Sequence, residues 1–138
     1  MRLCDLNRSY PGVDRHLREQ FWQFTNWLRT QYFAKEPVRV TLLPQAAISD
    51  GSSEPGVACY LWHTNKRPKV HDIYVAAGAV DVGMEYFEMD PFHALDQLFL
   101  AVAHEFAHYR QWVFGTPASE RNAEYMAKCW VATYYARN

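Results

Sequence analysis

Hydrophobic positions along the chain fall into blocks of two different periods. Val13, Leu17, Phe21, Phe24, Leu28 and Tyr32 recur every three or four residues, while Arg15, Arg18, Glu19, Gln23 and Arg29 occupy other faces. That period predicts an amphipathic helix from about Val13 to Lys35. Glu36-Pro37 stops it, because the residue before a proline is pushed out of the helical region. Val38 to Leu42 then alternates as a strand does. Val57 to Thr64, with Tyr60 and Trp62 adding β propensity, predicts a second strand, and Val70 to Ala77 a third. Between them, residues 45–56 are rich in Ser, Asp, Gly and Pro and read as an exposed loop, and Asn65-Lys66-Arg67-Pro68-Lys69 reads as a turn with a solvated basic tip. Short connections between these strands predict an antiparallel meander.

The ends of the chain read differently. Residues 1–12 form a polar lead-in that closes in a turn at Pro11-Gly12. Gly78 and Gly83 bracket a turn, and Met84 to Glu88 reads as a short fourth strand. The acids Asp81, Glu85, Glu88 and Asp90 in this region read as solvated charges. Asp90-Pro91 is a helix start, an acidic N-cap followed by proline at the first helical position. From there to Phe114 the chain is apolar almost all round, which predicts a central, buried helix ended by Gly115. Thr116-Pro117 repeats the start signal, and Ala123, Ala127, Val131 and Tyr134, supported by Trp130, predict a last helix to about Tyr135. The expected fold is therefore α+β: an N-terminal helix, a three- or four-stranded, mainly antiparallel sheet, a central helix and a C-terminal helix.

Composition narrows what such a chain can do. It has 138 residues, 49% hydrophobic and 16% aromatic, enough to build one domain over 1–138 around a sizeable core. A formal net charge of −1 argues against a broad nucleic-acid surface or an anionic-membrane surface. Three cysteines, Cys4, Cys59 and Cys129, form no C-x-x-C pair, which suggests reduced thiols and a cytoplasmic setting. No apolar h-region precedes Pro11, so no signal peptide is expected, and no apolar run is long enough to span a membrane.

Chemistry enters inside the central helix, where Val102-Ala103-His104-Glu105-Phe106-Ala107-His108 reads H-E-x-x-H. Residues four apart on a helix share a face, about 5–6 Å apart at Cβ, so His104 and His108 can converge on one metal ion. Glu105 lies beside them, displaced round the helix, where a carboxylate can reach a water on that metal. Zinc suits imidazole ligands, and a catalytic zinc site usually has three protein ligands and one open position. Such a site brings the pKa of its water toward about 7, and a glutamate can take the proton as the water attacks a carbonyl.

A third ligand is expected from the last helix. Glu120 and Glu124 fall on or beside its apolar stripe, where a carboxylate facing a core is costly unless paired or coordinated. If the two helices fold as a hairpin at Gly115, His108 faces residues near position 122, and the two acids are about equally placed. Either completes a His₂Glu set, and the other could hydrogen-bond a ligand imidazole and fix its tautomer. His63 and His71 on strands, His93 in a first turn and His16 on a surface have no spacing that ties them to the metal. Tyr109 directly follows the motif and is as fitted to packing as to catalysis.

His104 to His108, followed by Glu120-Arg121-Asn122-Ala123-Glu124-Tyr125-Met126-Ala127, resembles the zincin metallopeptidases of the gluzincin type. The plan is closest to small intracellular ImmA/IrrE-like peptidases and short phage-encoded relatives, whose downstream motif looks like E-x-x-A-(D/N)-x-x-A. The resemblance implies a minimal zincin-like domain, with Glu120 as third zinc ligand and Glu124 beside the ligands. It also implies that a sheet edge lies above the metal and pairs with an extended peptide, as in β-augmentation. Here that edge is expected to be the strand at 70–77 or the one at 84–88. The group that stabilises the oxyanion stays unassigned among nine tyrosines and the histidines.

Two functions follow as expectations. The first is a zinc-dependent peptidase acting on a peptide or protein substrate, with His104, His108 and Glu120 on the metal and Glu105 as general base. The second is a regulatory or binding module on a zincin scaffold that holds zinc and a protein partner without turnover, since fold does not fix function. Glu105 favours catalysis, because a structural metal site has no need of a base.

Overall fold

The computed structural model describes residues 3–32, 35–49, 56–61 and 70–137. Trp62, His63, the basic tip at 65–69 and the loop residues 50–55 lie outside the described residues. A 3₁₀ turn at Leu3–Leu6 leads into β1 (Asn7–Ser9), α1 (Arg15–Gln31), β2 (Val38–Leu43), β3 (Ala58–Tyr60), β4 (His71–Ala76), α2 (Ala79–Tyr86), α3 (Pro91–Val113) and α4 (Glu120–Ala136). The fold is α+β, with four helices and a four-stranded mixed sheet among the described residues.

The sheet order is β1-β2-β4-β3, with β1 and β4 parallel to β2 and only β3 antiparallel to its neighbour β4. This corrects the expected antiparallel meander. After β2 the chain crosses to the far edge, forms β3 there, and returns as β4 into the gap, so β2 and β4 run the same way over six paired residues. The segment between β2 and β3 is long enough to allow that crossing, whereas a meander needs only tight turns. At the other edge α1 links the parallel strands β1 and β2, as a parallel pair requires. β1 lies inside the stretch expected to be a polar lead-in. Its three residues carry no apolar alternation, and pairing with the buried strand β2 is what makes them a strand.

Two helices also differ from expectation. Residues 79–86 are helical, not a turn followed by a strand, and Glu88 has left-handed φ of 54° just beyond. Val80 and Gly83 face inward, three apart, as a short amphipathic helix requires. Gly78 is forced by its surroundings, because a Cβ there would lie 2.3 Å from the carbonyl oxygen of Pro44. α4 begins at Glu120, not at Thr116-Pro117: Ser119 is the N-cap, its hydroxyl accepting from the Asn122 N–H at 3.1 Å. The Asp90-Pro91 start holds as read, with the Asp90 carboxylate accepting from His93 N–H at 2.9 Å. Gly115, with φ of 70°, ends α3.

The core lies between one face of the sheet and the helices. Register puts Val38 beside His71, Val40 beside Ile73 and Leu42 beside Val75, and all six are buried. Three helices meet where Phe24 of α1 stacks on Phe99 of α3 at 4.5 Å and Tyr134 of α4 packs edge-on against Phe24 at 5.0 Å. Each fully buried aromatic or aliphatic side chain contributes about 1.5–3 kcal/mol. α3 is buried on several sides, as its composition predicts, and touches both β3 and β4.

Arg29 departs from the expected polar face of α1. It is buried, and its guanidinium donates to the carbonyls of Leu6 at 3.3 Å and Val38 at 3.0 Å, to Asn26 Oδ1 at 2.8 Å and to Asn7 Oδ1. Its long stem carries the charge past the apolar stripe to backbone groups where the 3₁₀ turn and β2 meet. Burial lowers its pKa to about 10, so it remains charged at neutral pH. Removing a charged donor from buried acceptors leaves them unsatisfied. Arg29→Met is therefore expected to destabilise the protein by about 2–4 kcal/mol in urea unfolding. Arg15→Met, which removes only an exposed pair with Glu19, is expected to cost well under about 1 kcal/mol.

Candidate metal centre

His104 and His108 project from one face of α3, and the first residue of α4 meets them. His104 Nε2 lies 2.9 Å from Glu120 Oε2, His108 Nε2 lies 2.7 Å from Glu120 Oε1, and the two Nε2 atoms are 3.2 Å apart. Among the described residues these three are the group of His, Cys, Asp and Glu side chains whose ligand atoms lie close enough to share one ion. The site is graded from floor to solvent: the side chains of His108, His104 and Glu120 are 5%, 26% and 80% exposed.

Glu124 is placed differently. Its carboxylate pairs with Lys128 at 3.1 Å along the surface of α4. Both acids are exposed, so neither faces the core, and the cost of burying a carboxylate is not what selects between them. Position along α4 does. Glu120 sits at the very start of the helix, where the chain has just come round from α3.

That chain reversal is fixed by Gln111, which the sequence reading passed over. Its Oε1 accepts from His108 Nδ1 at 2.9 Å and from Ser119 N–H at 3.2 Å. Its Nε2 donates to the Ser119 carbonyl at 3.1 Å and to Asn122 Oδ1 at 3.0 Å. An amide oxygen can only accept, so His108 carries its proton on Nδ1 and presents the lone pair of Nε2 toward Glu120. The signal was a glutamine three residues after His108, a spacing that shares a helix face.

Glu105 is half-buried and turned toward the sheet, where its Oε2 accepts from the backbone N–H of Tyr60 in β3 at 3.1 Å. Burial pushes its carboxyl above the usual carboxylate range, opposed by the imidazoles of His108 and His104 and by the Tyr60 N–H. This contact identifies the strand beside the site. β4 is interior and 84–88 is not a strand, so neither expected edge is the edge: β3 is. Leu61 N–H donates to Asp72 and Ala76 N–H donates to Val57, so odd-numbered residues of β3 bond inward to β4. Ala58 and Tyr60 therefore turn their backbone groups outward. The outer side is closed at Gly56, which exchanges two 2.8 Å bonds with Ile48, and at the Tyr60 N–H, which holds Glu105.

An open groove of about 490 Å³ runs from His104 between β3, α3 and α4. Val57, Leu100, Ala101 and Ala127 give it an apolar lining, with Glu124 and Lys128 at its rim. Tyr109 points elsewhere: it is buried and its hydroxyl donates to the Glu36 carbonyl, so it packs the core behind the site. His16 and His93 are exposed, and His71, at the start of β4, is wholly buried.

The donor set fits a zinc ion. Two imidazole nitrogens 3.2 Å apart that share one carboxylate form a group that could hold one metal ion. Bonds of 2.0–2.1 Å in a tetrahedral zinc site put ligand atoms about 3.3 Å from one another, a little beyond the spacings seen here.

No protein-family model, curated protein or solved structure matches this chain. Among the described residues no helix is long and apolar enough to cross a membrane.

If Gln111 orients His108 for a metal, Gln111→Ala is expected to weaken zinc binding about 10–100-fold, measured by competition with a chromophoric chelator. Lys128→Ala, which releases Glu124 from its ion pair, is expected to leave zinc affinity within about twofold.

Proposed function

We propose that the protein is a zinc-dependent peptidase with a minimal zincin-like core, in which His104, His108 and Glu120 bind the metal and Glu105 is the general base. The observation that carries this reading is the meeting of both motif histidines with Glu120, while Glu105 stands beside them tied to the edge strand. A zinc ion held by that set supplies Lewis acidity, polarising a peptide carbonyl and acidifying a water. The chain's own residues do the rest. Gln111 holds His108 in the tautomer that can ligate. The Tyr60 N–H restrains Oε2 of Glu105, leaving Oε1 to take a proton from the attacking water and return it to the leaving amine. Partial burial, by raising the basicity of Glu105, suits both halves of that transfer.

The substrate on this reading is an extended peptide laid along the outer side of β3. Ala58 offers it an outward N–H and C=O, while the flanking outward groups of Gly56 and Tyr60 are engaged by Ile48 and Glu105, so main-chain pairing is confined to Ala58. A side chain of that peptide enters the apolar groove beside His104. A structural site would not need a sheltered carboxylate beside an open cleft, and this favours turnover over a purely regulatory zinc module.

Metal content and turnover test the two halves separately. Protein purified without chelators is expected to carry about one zinc per chain by elemental mass spectrometry, and Glu120→Ala to lose it. Glu105→Gln is expected to retain zinc and fold while hydrolysis of a peptide library falls at least about 100-fold. Full zinc in Glu120→Ala transfers the third-ligand role to Glu124. Zinc in the wild type, with hydrolysis indifferent to Glu105→Gln, leaves a zinc module that binds a protein partner. Absence of metal after zinc is added back ends both readings.

A further inference from the structure

We propose that His71 is a positioning residue for Glu105 and acts through Tyr60. The inference rests on Glu105 being the general base, and it concerns residues that the H-E-x-x-H motif does not contain.

β3 is only three residues long and is laddered on one side. A strand this short has few backbone bonds to fix its height above α3, yet the Tyr60 N–H must stay within reach of Glu105. The Tyr60 side chain supplies the missing anchor. Its hydroxyl meets His71 Nδ1 at 2.8 Å, and its ring packs edge-on against Tyr109 at 6.3 Å. His71 is itself wholly buried, with its Nε2 3.4 Å from Glu36 Oε2 and its ring edge-on to Tyr109 and Trp112 at 5.1 and 5.2 Å. A line of polar contacts thus runs from Glu36, just before β2, through His71 and Tyr60 to Glu105.

Chemistry favours a role over simple filling. An apolar ring at position 71 would pack in the same row as Ile73 and Val75 without the cost of burying an imidazole. The imidazole packs between the Tyr109 and Trp112 rings with Nε2 3.4 Å from Glu36 Oε2, and its other nitrogen meets the Tyr60 hydroxyl. The consequence is directional. Tyr60 cannot move outward without breaking the His71 contact, so Oε2 of Glu105 is pinned and the carboxylate keeps one orientation as it exchanges its proton at Oε1.

The test is amide hydrogen exchange by NMR on the zinc-loaded full chain, with kcat and KM measured on the same samples. In the wild type the Tyr60 amide is expected to be protected, and Glu105→Ala to release it. In His71→Leu the Tyr60 amide is expected to exchange about 10-fold faster, while Leu61 and Ala76, which bond within the sheet, stay protected. Turnover is expected to fall about 10-fold at unchanged KM and unchanged zinc content. His71→Asn, whose carboxamide can still meet the Tyr60 hydroxyl, is expected to restore most of both. Unchanged Tyr60 exchange in folded His71→Leu overturns the proposal, as does equal loss at Tyr60, Leu61 and Ala76 without rescue by asparagine. Should His71→Leu fail to fold, Tyr60→Phe removes only the hydroxyl and carries the same expectation; an unchanged Tyr60 amide there overturns it too. Exchange that shifts as expected in a protein that hydrolyses no peptide upholds the hold of His71 on Glu105 and overturns the peptidase reading instead.

Discussion

The carboxamide of Gln111 is the contact on which the site depends. Its oxygen accepts two hydrogen bonds and its nitrogen donates two, which fills the valences of a buried amide. Three of those bonds end on Ser119 and Asn122, so they set where α4 begins and how it leaves α3. The fourth sets the tautomer of His108. One side chain therefore decides both which nitrogen of the buried histidine faces the cleft and where Glu120 stands relative to it. A loop closed only by Gly115 and Pro117 could not do this, because neither offers a side chain that reaches the imidazole.

The strand order has a similar consequence on the opposite side of α3. Parallel pairing of β2 with β4 makes a buried, two-sided base, and it leaves β3 to occupy the edge nearest the motif helix. A meander would have put β4 at that edge, and its residues would have met α3 with the opposite alternation. With β3 there, the even-numbered residues turn outward, and this is why a backbone N–H rather than a side chain meets Glu105. Glu105 is sheltered by the strand, while Glu120 stands in solvent across the cleft. The two carboxylates thus sit in different surroundings, and burial pushes the sheltered one, Glu105, above the usual carboxylate range.

The legible parts of the sequence were those set by local periodicity. The helix at 15–31 follows from apolar spacing, the helix at 91–113 from an apolar run with an Asp-Pro start, and the strands at 38–43 and 71–76 from β-rich runs. The H-E-x-x-H spacing brought two histidines to one face. What was not legible was set by distant partners. β1 has no strand pattern of its own and is ordered by β2. The parallel pairing of β2 and β4 depends on which edge the intervening loop reaches, a long-range choice that leaves no local mark. Thr116-Pro117 imitates a helix start, but Gln111 recruits Ser119 instead. The apolar stripe suggested a core-facing carboxylate at Glu120 or Glu124 alike, and only the resemblance to gluzincins chose Glu120. The carboxylate is exposed, and the geometry comes from the start of α4 rather than from desolvation.

Buried polar side chains make the same point about where the molecule accepts cost. Among the described residues six are buried: Thr25, Arg29, Thr41, His71, His108 and Gln111. An unsatisfied one costs about 1–3 kcal/mol, so a domain of this size can hold few of them without a return elsewhere. Arg29 secures the far edge of the sheet. His108 and Gln111 lie on the motif helix, and His71 on β4 meets the side chain of Tyr60, whose N–H bonds Glu105. Half of the buried polar set thus lies near the motif, where Gln111 bonds His108 and the start of α4, and His71 meets the hydroxyl of Tyr60. A core needing only stability would fill those three positions with leucine or phenylalanine and pack as well. Polar burial gathered near the motif histidines is the pattern expected where orientation has been favoured over stability, and it supports the proposed site without relying on the motif.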